Sequence, residues 1–134
     1  MSKVVIDTNV LIDFLAGRRD CSELFFKASG VLVPLVVIGE FLAGLSDTRA
    51  DAARRNALEL FLAMSSVEKI TFTEETAQWY ASIHRQLRQA GTPIPQNDVW
   101  IAAQTLEHGA VLCTRDGDFR AVANLRIVED TITP

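Results

Sequence analysis

At 134 residues and 49% hydrophobic content the chain can bury one full core, while two domains would leave neither half enough surface to bury, so a single domain over residues 1–134 is expected. Cys21 and Cys113 lie far apart and form no CxxC or Cys/His cluster, and no apolar run approaches the ~20 residues that span a bilayer; free thiols in a cytoplasmic protein without membrane contact are the expectation. The net charge of −4 argues against a nucleic-acid partner only until carboxylates committed to a metal are set aside, after which the surface is close to neutral.

Reading in chain order gives strands alternating with helices. Lys3 to Ile6 is predicted as the first strand, followed by a helix from Thr8 to Ala16 with Val10, Leu11, Phe14 and Leu15 at helical spacing and Gly17 closing it. A short helix over Cys21 to Ser29 and a strand over Val31 to Val33 come next. Pro34 suits the first turn of a helix that runs to Leu45. Thr48 to Met64 reads as an amphipathic helix with Ala50, Ala53, Ala57, Leu60 or Phe61, and Met64 on its inner face. After a strand over Val67 to Phe72, Thr73 and Thr76 can cap a helix to Gln89 whose inward residues are Ala77, Tyr80, Ile83 and Leu87. The segment from Gly91 to Gln96 is too proline-rich for regular structure, so it leads as a loop into a helix from Asn97 to His108, ended by Gly109. Val111 to Thr114 and Arg126 to Val128 complete five strands. Helices between strands imply a mostly parallel sheet with right-handed crossovers.

Four acids occupy informative places on this scheme: Asp7 after the first strand, Glu40 in the third helix, Asp98 at a helix start and Asp116 after the fourth strand. Open α/β sheets bind ligands beyond the carboxyl ends of their strands. Carboxylates sharing a cleft there repel one another unless a cation is present, and Mg²⁺ or Mn²⁺ prefers such oxygen donors. Simpler roles exist for three of the four. Asp7, Thr8 and Asn9 are all good N-cap types, Asn97 can cap the helix in whose first turn Asp98 lies, and Asp116-Gly117 is a turn dipeptide in its own right. Glu40 is harder to explain away. It stands among Leu35, Val36, Val37, Ile38, Phe41 and Leu42 in a helix expected to be buried, with no lysine or arginine between Gly30 and Thr48, so it needs a metal or a distant arginine. Asp118 could ligate a second ion or hold a water. Asp13, Asp20, Asp47, Asp51, Glu59 and Glu107 read as solvated charges, and His84 and His108 stand in no ligand pattern. All basic residues except Lys3, Lys27 and Lys69 are arginines, whose forks suit phosphate; Arg18, Arg19, Arg54, Arg55, Arg85, Arg88, Arg115 and Arg120 are the candidates.

The stretches Val-Val-Ile-Asp7-Thr8-Asn9-Val-Leu-Ile-Asp, Gly-Glu40-Phe-Leu-Ala-Gly44, Asn97-Asp98-Val-Trp-Ile-Ala-Ala and Leu-Cys-Thr114-Arg-Asp116-Gly-Asp118-Phe119 together resemble the PIN-domain nucleases, and in size and wording the VapC toxins of toxin–antitoxin pairs. The resemblance implies a PIN-like three-layer fold with a central five-stranded sheet flanked by helices. It also implies an endoribonuclease in which Asp7, Glu40, Asp98 and Asp116 carry Mg²⁺, with Mn²⁺ as substitute, and an activated water hydrolyses RNA to 5′-phosphate and 3′-hydroxyl ends. Thr8, Asn9 and Thr114 would be supporting polar groups and Asp118 accessory. Because the segment from Thr114 to Phe119 is shorter than in many relatives, the choice between Asp116 and Asp118 as fourth acid stays open. Implied partners are an RNA substrate, a VapB-like antitoxin and a second copy in a homodimer. Phe14, Leu15, Phe41 and Leu42 are more large apolar side chains than one sheet face needs, and would form a groove for an antitoxin helix or strand that ends in arginine or lysine.

Other classes fit less well. A haloacid-dehalogenase-like phosphatase needs a second aspartate where this chain has Asn9, and a receiver domain needs an acidic pair and a lysine that are absent. A housekeeping RNA-processing nuclease and a catalytically silent interaction module are the remaining alternatives.

Overall fold

In the computed structural model, which describes residues 2–18 and 22–129, five strands form one sheet in the order β3-β2-β1-β4-β5. They are β1 (Val4–Ile6), β2 (Val31–Pro34), β3 (Val67–Ile70), β4 (Val111–Thr114) and β5 (Ile127–Glu129). All four pairings are parallel. A strand covered on both faces has no wet side to alternate toward, so β1 and β2 read as unbroken apolar runs and are buried along their whole length. The helices α1 (Thr8–Leu15), α2 (Ser22–Lys27), α3 (Leu35–Ala43), α4 (Arg49–Leu62), α5 (Glu74–Ala90) and α6 (Gln96–Glu107) flank the sheet. The chain leaves β1 toward β2 and β3 on one side, then returns to β4 on the other side of β1. That reversal opens a crevice at the carboxyl ends of β1 and β4.

Local chemistry accounts for the helix ends. Thr48 caps α4 by accepting from the Asp51 amide at 3.2 Å. Thr73 and Thr76 form a full capping box on α5, and both hydroxyls also donate to Glu107 of α6. Gly91 closes α5 in the left-handed region at φ 71°, a conformation that disfavours any residue with a Cβ.

Several sequence expectations change at this level. α6 begins at Gln96, with Pro95 in the cap position and no side-chain cap, so Asn97 lies inside the helix and does not cap it. The inner face of α4 is Asp51, Leu58 and Phe61, while Ala50 and Ala53 are exposed and Leu60 and Met64 remain 64% and 52% exposed. Phe61 wins the inner position because it packs against Phe14 and Phe25, with ring centroids at 5.3 and 6.0 Å. On α5 the residue turned inward one turn before Tyr80 is Thr76, and Ala77 faces solvent. Neither Asp13 nor Asp51 is a solvated charge. Asp13 is buried and paired with Arg18 and Arg115. Asp51 is 6% exposed and accepts from the Ser46 amide, the Ser46 hydroxyl and Arg54 at 2.6–2.7 Å, which pulls its carboxyl down to about 2. Glu107 is likewise engaged, by the two threonines. Arg19, Asp20 and Cys21 fall outside the described residues; Cys113 is buried in β4.

Candidate active site

The crevice is a cleft of about 460 Å³ lined by Asp7, Thr8, Asn9, Glu40, Pro95, Gln96, Asn97, Asp98 and Asp116. Its walls come from four places in the chain. β1 ends at Ile6, paired in register with Cys113 of β4, so Asp7 emerges beside Thr114. The Asp7 amide donates to the Cys113 carbonyl at 3.1 Å and holds that edge together. One Asp7 oxygen accepts from the Thr8 amide at 2.6 Å as the N-cap of α1, and the other accepts from the buried Thr114 hydroxyl at 2.7 Å. Capping and site placement are therefore one arrangement, not rival roles.

Glu40 reaches the same cleft from α3, where it accepts from the Thr8 hydroxyl at 2.9 Å. It is half-buried, because α3 is not enclosed: Leu35 and Leu42 are 47% and 42% exposed and Gly39 faces solvent. The uniformly apolar pattern of that helix predicted deep burial. Cleft and surface accept those residues instead, and a threonine hydroxyl supplies the partner that the sequence lacked. Asp98 enters from the first turn of α6, held there by the bond from its amide to the Pro95 carbonyl at 3.0 Å. Asp116 follows β4; its amide donates to the Thr114 hydroxyl at 3.0 Å, and one of its oxygens accepts from the Asp118 amide at 2.9 Å. Asp118 is exposed and outside the lining. Thr114 lies beneath the cleft as a buried support.

Electrostatics shows how closely these groups are coupled. Burial pushes the Asp98 carboxyl up to about 7, and the charges of Asp7, Asp116, Glu40 and Asp118 push in the same direction. Asp7 is also raised, first by burial, against the hydrogen bonds from Thr114 and Thr8, and further by Asp116 and Glu40. None of the lining residues is basic, so among the described residues the cleft wall gathers anions without a counter-charge of its own. Among the described residues no three carboxylates stand close enough to enclose an ion as they are. They rim an open cleft, as mutually repelling anions do. The donor set is all oxygen, which fits a hard divalent cation.

The wall made by Pro95, Gln96 and Asn97 was not legible as part of the site. Its signals were the proline spacing of the preceding loop and the place of Asn97 beside Asp98 in the third motif. The arginines proposed for phosphate mostly serve other ends: Arg18 and Arg115 bind Asp13, Arg54 binds Asp51, and Arg55 donates to the Ser46 carbonyl.

Residues 4–125 match the PIN domain family. Ribonuclease VapC4 of Mycobacterium tuberculosis is 28% identical over 126 residues, 94% of this chain and 95% of the relative. Ribonuclease VapC1 of Methanocaldococcus jannaschii is 30% identical over 115 residues, 86% of this chain and 76% of the relative. The crystal structure of VapBC2 from Rickettsia felis bound to a DNA fragment from their promoter has a TM-score of 0.83 over 96% of this chain and 99% of that chain, at 22% identity, a likeness that shows the fold alone. Since the family match takes in β1 through β4 and every acid of the cleft, this chain belongs to the PIN domain family, on its VapC ribonuclease branch.

Proposed function

We propose that this single domain is a divalent-metal-dependent endoribonuclease and the toxin of a toxin–antitoxin pair, acting in the cytoplasm. The observation that carries the reading is the cleft itself. Four carboxylates from separate elements line one cleft at the topological switch point, two of them with raised pKa and none with a basic neighbour in the lining. Asp7, Glu40, Asp98 and Asp116 would hold Mg²⁺, with Mn²⁺ as substitute and Asp118 accessory. A cation bound there neutralises the acids, activates water and offsets charge on the leaving oxygen. The protein's own part is orientation. Thr114 and the Thr8 amide fix both Asp7 oxygens, the Thr8 hydroxyl fixes Glu40, and the α6 N-terminus favours the Asp98 anion. Water is proposed as the nucleophile, attacking phosphorus in line and leaving 5′-phosphate and 3′-hydroxyl ends as the family resemblance implies, and a carboxylate-rich cleft suits holding a cation that would activate that water.

Incubating the purified protein with total RNA in Mg²⁺, Mn²⁺ or EDTA and mapping new 5′ ends tests this. Discrete cuts in metal alone are expected; cutting that persists in EDTA, or none at all, overturns it. The toxin assignment draws on relatives named VapC and on the VapBC structure. A groove beside the cleft, lined by Ile12, Leu15, Ala16, Arg18, Phe41, Gly44, Leu45 and Arg54, is proposed to take the antitoxin. Phe41 is 3% exposed and Phe14 packs edge-to-face on Phe25 against the core, so Leu15 is the anchor to test, not Phe41.

A further inference from the structure

The arginines divide into two groups. Arg18, Arg54, Arg55 and Arg115 are engaged within the fold, whereas Arg85 and Arg88 of α5 have no ion-pair or hydrogen-bond partner among the described residues. They stand one helical turn apart on an exposed face, and the chain carries no acid between Glu75 and Asp98. In a protein of net charge −4 this is a locally cationic stretch. Arg88 and His84 rim a pocket of about 330 Å³ whose other lining residues are Leu87, Pro93, Ile94 and Val99. That pocket adjoins the acid cleft. Ile94 lines one and Pro95 the other, and Val99 follows Asp98 in the chain. His84 also ends a column of rings through Tyr80 and Trp100 to Phe72, with centroid spacings of 6.0, 3.9 and 4.5 Å.

We infer that this pocket is a nucleotide subsite for the RNA strand beside the scissile phosphate, with an unpaired base on the apolar walls and His84 and its phosphate on Arg85 and Arg88. The inference rests on the nuclease reading of the cleft. A bound cation at most offsets the acids at the scissile phosphate, so affinity for the neighbouring nucleotides must come from outside them, and these cations are the unengaged ones next to the site among the described residues. Single strands are held by such pairings of cationic backbone contacts with stacking or apolar base contacts. A second copy of the chain is the rival occupant. A two-fold contact centred here would set Arg85 and Arg88 against their own copies, which like charges oppose.

The test uses full-length protein. Binding of a fluorescein-labelled single-stranded RNA is followed by anisotropy on an Asp98→Asn chain, which spares the RNA, and cleavage kinetics are measured on the otherwise unaltered chain. The Arg85→Ala/Arg88→Ala variant is expected to weaken binding about tenfold or more, and to lower the salt slope by about 0.7 per arginine. KM should rise with kcat held. Ile94→Ser should weaken binding without changing the salt slope, and Arg49→Ala, another exposed arginine with no partner among the described residues, should change neither. Unchanged affinity and KM in the double variant of an active parent overturn the subsite alone. So does a double variant that loses only self-association in sedimentation, which would assign the face to a second copy. A parent that binds RNA with the expected arginine dependence yet cuts none in Mg²⁺ or Mn²⁺ overturns the nuclease reading and leaves the subsite standing.

Discussion

Asp98 concentrates the residue-scale physics. Its carboxyl is raised to about 7 from an ordinary value of 3.8 by burial and by four neighbouring anions. Between those two values the folded state binds a proton that the unfolded chain releases, so the sign is fixed. In metal-free protein this group's contribution to stability is present below about pH 4 and is lost as pH rises to about 7. Melting curves in EDTA across that range should show the decline, and Asp98→Asn should flatten it; an identical slope in the variant rules out this origin. Asp51, with a lowered value, acts in a separate window, its contribution being lost as pH falls from about 4 toward 2. The same Asp98→Asn change keeps the side-chain volume but removes a ligand charge. Ribonuclease activity is therefore expected to fall roughly 100-fold or more, with folding intact. A folded variant that cuts at the parental rate contradicts the assigned role.

At the scale of elements, α5 and α6 are locked where Thr73 and Thr76 donate to Glu107. Thr76 is fully buried, so Thr76→Ala removes a cap and strands part of that network, costing about 1–2 kcal/mol in urea unfolding. A loss below a few tenths would mean that water replaces the hydroxyl. α1 and α3 carry the groove assigned to the antitoxin. Leu15→Asp places a charge on its apolar wall and should weaken the toxin–antitoxin complex about tenfold or more while leaving cleavage by the free toxin near parental. Titration calorimetry with the purified antitoxin reads the first effect and an RNA assay the second. Equal loss of both would show that the variant damages the fold.

For the whole molecule, the cleft is an electrostatic cost carried by the native state, and a cation that binds only the folded chain relieves it. At a hundred times its dissociation constant such a ligand stabilises by about 2.7 kcal/mol. Mg²⁺ or Mn²⁺ should raise Tm by several degrees in the parent and much less in Glu40→Gln. Equal shifts in both would point to non-specific salt effects. The parallel sheet makes this geometry possible, because the turn of strand order at β1 is the one place where chain segments distant in sequence must open a crevice.

Periodicity and turn chemistry determined most of the elements without any coordinates. The apolar runs of β1 and β2, the Thr73/Thr76 cap and the glycine ends of α1 and α6 are local consequences of side-chain shape and backbone freedom, and Asp7, Asp98 and Asp116 stood at recognisable strand and helix ends. Which face of α4 turned inward was decided only by the tertiary structure, since Phe61 needed the rings of Phe14 and Phe25 to outrank Leu60 and Met64. The burial of Asp13 and Asp51 was likewise hidden, because whether a carboxylate leaves water depends on partners such as Arg115, which lies 102 residues away. So was the half-exposure of Glu40, for an apolar helix reads the same whether it faces a core or borders a cleft. Local propensities act within a few residues, whereas burial, pairing and pKa depend on what the folded chain brings near.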